Sequence, residues 1–155
     1  MTLYADIDAV EGIVNNHEEI SDWFVIDQER VNTFADATND HQWIHVDPER
    51  AKAGPFGAPI AHGYLTLSLL PYLSSSAVTI EGTIMGVNYG LNKVRFINPV
   101  AVGSSIRTRS VVVSVERVPQ GARVTQSVTV EIDGVEKPAA IAETIALFVL
   151  GAPQS

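Results

Sequence analysis

Ten consecutive residues, NDHQWIHVDP at 39–48, hold two aspartates, two of the chain's four histidines, an asparagine, a glutamine and a tryptophan. A carboxylate and an imidazole held side by side can take a proton from water and pass it on, which is general acid–base chemistry. The same residue types also bind zinc, and His41, His45 and His62 with Asp40 as a fourth ligand would make a set. The His41/His45 pair falls in a predicted loop, however, and lacks the helical phasing that aims such a pair at one ion, so a site without metal is expected. Each residue also has a plain structural use. Asp40 could end a helix, and His45 could be a hydrogen-bonded core histidine.

The flanking segments decide whether Asp40 and His45 can meet. Asp27 is a good N-cap for DQERVNTFADAT, and Val31, Phe34, Ala35 and Thr38 recur at helical spacing, which predicts an amphipathic helix over 28–37. Asp47 followed by Pro48 reads as a second cap opening a short helix through PERAKA. Residues 39–46 are then a loop. Five residues apart, Asp40 and His45 would diverge by about 140° on a continuous helix, so only a break lets them face one site.

Downstream, AGPFGAPIAHG is a Gly- and Pro-rich loop leading into YLTLSLLPYLSS. There Leu65, Leu67, Leu69, Leu70 and Leu73 are distributed around the helix, which predicts burial on all sides. The remainder changes period. Val124, Gln126, Val128, Val130 and Ile132 alternate with Thr125, Ser127, Thr129 and Glu131, the two-residue repeat of a strand. SIRTRSVVVSV and AAIAETIALFVL read as further strands, with turns at VPQGAR and at Asp133–Gly134. The expected fold is therefore α+β, an antiparallel sheet wrapped around one buried central helix.

Composition bounds the function. A chain of 155 residues with 46% hydrophobic and 18% charged residues suits one globular domain, expected over 1–155. The absence of cysteine removes disulfides and thiolate chemistry. A net charge of -8 argues against nucleic acid as a partner. GYLTLSLLPYL is about half the roughly 20 residues that span a bilayer, so no membrane segment is expected. The N-terminal MTLYADIDAVEGIVNN lacks the pattern of a signal peptide, which points to a cytoplasmic protein.

Asp40 and His45, followed by VDPERAKAGPFGAPIAHG, resemble the hydratase motif of the MaoC-like, R-specific enoyl-CoA hydratases. YGLNKVRFINPV, residues 89–100, is similar to the strand pair beside that family's acyl pocket, and the resemblance covers roughly residues 20–150. It implies a hotdog fold, a homodimer, and reversible syn hydration of trans-2-enoyl-CoA to the (3R)-hydroxyacyl-CoA. The acyl-CoA thioester would be substrate, with no metal and no redox cofactor. On this resemblance Asp40 takes the water proton and His45 orients the water and shares in proton delivery. Gly63, at the start of the buried helix, offers backbone N–H to the thioester oxygen, with the start of a tightly packed helix as the lesser alternative. Lys93 and Arg95 are candidates for the coenzyme A phosphates, as are Arg107 and Arg109, although on strands such cations also form a solvated face. Trp43 is read as a loop anchor.

This chain departs from the family's usual Gly-Asp-x-Asn-Pro-x-His, with Asn39, Gln42 and Trp43 replacing its glycine, asparagine and proline. Asn tolerates the left-handed backbone and Gln keeps an amide. Pro71 stands where some relatives have serine, so that serine's role does not carry over. Two other classes use the same fold: a hotdog acyl-CoA thioesterase, which would release free thiol, and a non-catalytic acyl-CoA-binding protein.

Overall fold

A computed structural model describes residues 2–75 and 77–152; the other residues of the expected 1–155 unit lie outside it. In chain order, β1 (Leu3–Tyr4), α1 (Ile7–Glu11), β2 (Glu18–Ile20) and β3 (Phe24–Val25) lead into α2 (Gln28–Thr38). Three short helical segments follow before the long strands: α3 (Trp43–Val46), α4 (Pro48–Lys52) and α5 (Gly63–Ser68), with α6 (Leu70–Leu73) directly after. Then come β4 (Thr79–Ile80), β5 (Thr83–Phe96), β6 (Ser105–Val118), β7 (Gly121–Ile132) and β8 (Val135–Leu150).

The main sheet is antiparallel and ordered β2-β6-β7-β8-β5, with β3 also paired to β6. The alternation in β7 does what its period predicts: Ala122, Val124, Val128, Val130 and Ile132 are all buried on one face. Against that face lies the α5–α6 segment, whose Leu65, Leu69, Leu70 and Leu73 share a core cluster with Ile106, Val128 and Val130. Ala139, Ala140 and Ala142 of β8 belong to the same cluster. Their short side chains leave room for the helix to approach the sheet. The Asp133–Gly134 turn closes the β7–β8 hairpin as expected, with Ile132 opposite Val135 and Gly134 at φ +73°.

Three expectations need correcting. First, the central helix is not buried all round: Tyr64 and Tyr72 are 69% and 66% exposed. It is also interrupted at Leu69, because Pro71 has no N–H to continue the ladder and its ring crowds the preceding turn. Second, residues 39–46 are not wholly loop, since Trp43–Val46 forms one helical turn. Third, YGLNKVRFINPV is not a strand pair. Its first eight residues belong to the single strand β5, which among the described residues lies at the sheet edge and pairs with β8 alone. No helix among the described residues is long and apolar enough to cross a membrane.

Candidate active site

The break that Asp40 and His45 require lies at the end of α2. Asp27 caps the start of that helix by accepting a hydrogen bond from Arg30 N at 2.8 Å. Asn39 ends it in the left-handed conformation, φ 59° and ψ 25°. Asparagine suits this geometry because its short polar side chain tolerates it better than most. The chain then re-enters a helical turn at Trp43, and Asp47 caps the next helix through Arg50 N at 3.1 Å.

His45 is held from three sides. Its backbone carbonyl accepts a hydrogen bond from Gln28 Nε2 at 2.8 Å, which ties α3 to α2. Ile60 N donates to the carbonyl of the neighbouring Ile44 at 3.0 Å. The ring Nδ1 lies 2.6 Å from Ile60 O, and a carbonyl can only accept, so Nδ1 carries the proton and the neutral ring keeps a lone pair on Nε2. Ile60 is itself bridged to Ala101, and Ala61 N donates to Val100 O at 2.8 Å, so the strap holding His45 is anchored to the rest of the fold.

His62 completes the cluster. It is 2% exposed and stacks on His45 with ring centroids 3.9 Å apart and planes 24° from parallel. Its Nε2 donates to the backbone carbonyl of Asp40 at 2.9 Å, and Phe34 packs against its ring. Donor atoms of Asp40, His45 and His62 all lie within 4.8 Å of one another. Asp40 is exposed while both histidines are buried. Burial holds the His45 pKa below the ordinary imidazole value, with nearby His62 pressing the same way; the Ile60 carbonyl and the Asp40 carboxylate oppose it.

The four-ligand metal set is not assembled. His41 is exposed and pairs with Asp36 at 2.8 Å. The other three, Asp40, His45 and His62, do bring one possible ligand atom each to the same place. Gly63 begins α5, and its N–H precedes the first helical hydrogen bond, from Leu65 N to His62 O. A Cβ at this position would come within 3.0 Å of the Phe96 ring, so tight packing is one reason for glycine here. Trp43 packs against Gly54 and under Arg50, as an anchor would.

Lys93 and Arg95 are both exposed on β5, and Arg95 donates to the neighbouring Val94 carbonyl. Arg107 and Arg109 instead form ion pairs with Glu131, and Arg107 also covers Trp23. Sequence reasoning placed His62 only in the metal set. Its stacking on His45 and the role of Ile60 O depend on residues brought together from far along the chain, and no local pattern announces them.

A cavity of about 680 Å³ opens beside the α5–α6 segment, between Leu67, Leu70 and Pro71 and the sheet residues Leu91, Gln126 and Phe148. Asp40, His45 and Gly63 do not line it. The helix connects the two places: from Gly63 to Leu70 it advances by about 10 Å.

A model of the MaoC like domain matches residues 11–133. The chain is 58% identical over 130 residues to the 3-hydroxyacyl-thioester dehydratase Z of Mycobacterium tuberculosis, covering 83% of this chain and 86% of that protein. It is 45% identical over 141 residues to nodulation protein N of Rhizobium meliloti, covering 89% and 88%. Among solved structures, the unliganded R-hydratase of Pseudomonas aeruginosa superposes with a TM-score of 0.71 at 21% identity, covering 87% of this chain and 81% of that one. The expected hotdog architecture is the fold found.

Proposed function

From the premise that this chain belongs to the MaoC-like dehydratase family and is a hydro-lyase, we propose that it interconverts trans-2-enoyl-CoA and (3R)-hydroxyacyl-CoA by syn addition of water. The observation that carries the reading is the meeting of Asp40 and His45 across the helix break at Asn39. The 58%-identical relative, named for a 3-hydroxyacyl thioester, supports the substrate class.

In the hydration direction, the exposed Asp40 carboxylate takes one proton from water while the His45 Nε2 lone pair accepts a hydrogen bond from the same water and orients it. The oxygen bonds to C3, and electron density moves through C2 onto the thioester oxygen. The Gly63 N–H stabilises that charge, helped by the N-terminal end of α5. The proton then passes from the Asp40/His45 pair to C2 on the face where the hydroxyl was added. One water is consumed, and neither metal nor redox cofactor enters.

The acyl chain runs along α5 into the 680 Å³ cavity, which Leu67, Leu70, Val87 and Phe148 make largely apolar. Lys93 and Arg95 meet the coenzyme A phosphates. Two copies join at the β5 edge, where Ile84, Met85 and Tyr89 are 71%, 52% and 55% exposed. Light scattering at micromolar concentration is expected to give twice the chain mass, and a monomer mass would remove the dimer. The activity test is incubation with enoyl-CoA thioesters of graded length, following loss of the conjugated absorbance and the handedness of the alcohol. An unchanged rate with a chelator is expected. Release of free thiol would establish a thioesterase instead, and binding without turnover a carrier.

A further inference from the structure

The concave face of β7 is an apolar row with one exception. Between Val124 and Val128 stands Gln126, only 6% exposed, with its Oε1 lacking a hydrogen-bond partner among the described residues. Gln126 lines the cavity beside the α5–α6 segment. Directly opposite it on β8 is Thr144, which also lines the cavity, and Leu91 of β5 lies opposite Thr144 in turn. Facing pairs on neighbouring strands hold their Cβ atoms about 5 Å apart, so an amide and a hydroxyl stand together on the sheet side of the cavity, among Val87, Leu91, Ile145 and Phe148.

A cavity shaped only for an alkyl chain would be better served by leucine at this position. A buried amide left without partners is penalised by its lost hydration, and no protein group nearby returns the bond to Oε1. The amide can donate as well as accept, so a substrate hydroxyl can pair with whichever end of it faces the cavity.

We infer that Gln126, with Thr144, is a specificity determinant that selects acyl chains carrying an oxygen function, a hydroxyl above all, part-way along the chain. This rests on the reading of the cavity as the acyl site and names the substrate class more closely. A site built to hydrogen-bond a substrate hydroxyl discriminates strongly against the chain that lacks it, because the protein group is then left unpaired.

The test separates binding from turnover. Saturated acyl-CoA thioesters of graded length, plain and ω-hydroxylated, are titrated calorimetrically into the wild-type protein, Gln126→Leu and Thr144→Val. One length should place the hydroxyl at Gln126, and there the wild type is expected to prefer the hydroxylated ligand by about tenfold or more. Gln126→Leu should reverse that preference and Thr144→Val should reduce it. Gln126→Leu should also melt no earlier than the wild type, since it removes an unpaired buried amide. Hydration of crotonyl thioester, too short to enter the cavity, is followed separately in the wild-type protein as the test of the hydratase reading. Equal affinity for plain and hydroxylated chains at every length in the wild type would overturn the inference and leave Gln126 satisfied by ordered water. If crotonyl thioester is not hydrated but the hydroxyl preference appears and is lost in Gln126→Leu, the inference stands and the hydratase reading falls.

Discussion

The two ends of the α5–α6 segment meet very different surroundings. At the Gly63 end two imidazoles stack, and each is fixed by a backbone carbonyl: Ile60 O for His45 and Asp40 O for His62. At the Leu70 end the helix faces a mostly apolar cavity against β5 and β8. The first environment is ordered by directional bonds with few alternatives. The second is set by volume, which many side-chain combinations could supply. Chemistry that needs atoms placed to within fractions of an ångström belongs at the first end, and tolerance for a chain of variable length belongs at the second.

The sharpest way to break this division is to remove charge at the polar end. Asp40→Asn keeps size and hydrogen-bonding reach but cannot accept the water proton, so kcat is expected to fall by about two to four orders of magnitude. His45→Gln should give a loss of similar order, and the double variant should be little worse than either, since both groups act on one water. Thermal melting should hardly move for Asp40→Asn, because the carboxylate is exposed and the helix terminus is made by Asn39. Near-normal hydration with early melting would instead make Asp40 a structural residue.

His62 offers a finer cut at the same end. It reaches no substrate in the proposed mechanism and acts by holding the Asp40 backbone. His62→Leu removes the donor to the Asp40 carbonyl and should lower kcat about fivefold, in keeping with the roughly 1 kcal/mol of one hydrogen bond. His62→Gln, which can still donate, should recover most of that loss. Equal losses in kcat for both variants would show that the stacked ring matters and the bond does not.

The polar end was far more legible in the sequence than the apolar one. Asp27, Asp47 and Pro48 mark helix starts through local capping chemistry, so the break between Asp40 and His45 follows from residues within a few positions of it. The even spread of leucines in YLTLSLLPYLSS could show that much of the helix is buried, but not that Tyr64 and Tyr72 look outward or that Pro71 divides it. Those outcomes depend on what the sheet covers. Gln126 lay in plain view, the one amide in an apolar alternation, yet its meaning required knowing that the cavity lies against it.

A smaller effect concerns pH. Because burial lowers the His45 pKa, the unfolded chain binds a proton before the folded one does as pH falls below about 6.5. His45 therefore leaves stability undiminished above that value, and stability declines as pH falls towards the folded pKa. Denaturant titrations from pH 7 to about pH 5 should show this slope, and His45→Gln should lose it. The hydration rate should likewise hold its plateau below the ordinary imidazole value, since the neutral ring persists there. A slope that survives unchanged in His45→Gln would place its origin in another group.

The smallest expected effect separates the four strand cations. Phe96 packs against Gly63, so β5 carries Lys93 and Arg95 towards the polar end of the helix. Arg107 and Arg109 on β6 are engaged with Glu131, whose carboxyl they hold below the usual range. Arg95→Met should therefore raise KM for an enoyl-CoA by about two- to fourfold, the roughly 0.4–0.8 kcal/mol of an exposed charge contact, and leave kcat alone. The increase should shrink as salt is added, because the contact is screened. With an enoyl-pantetheine thioester, which lacks the nucleotide phosphates, Arg95→Met and the wild type should be indistinguishable. Arg107→Met should behave the other way, with unchanged KM for either thioester and a lower melting temperature, since it breaks an ion pair with Glu131 and uncovers Trp23. If Arg107→Met raises KM for the CoA thioester alone and Arg95→Met does not, the coenzyme A phosphates lie over β6, and the path from the polar end along β5 is wrong.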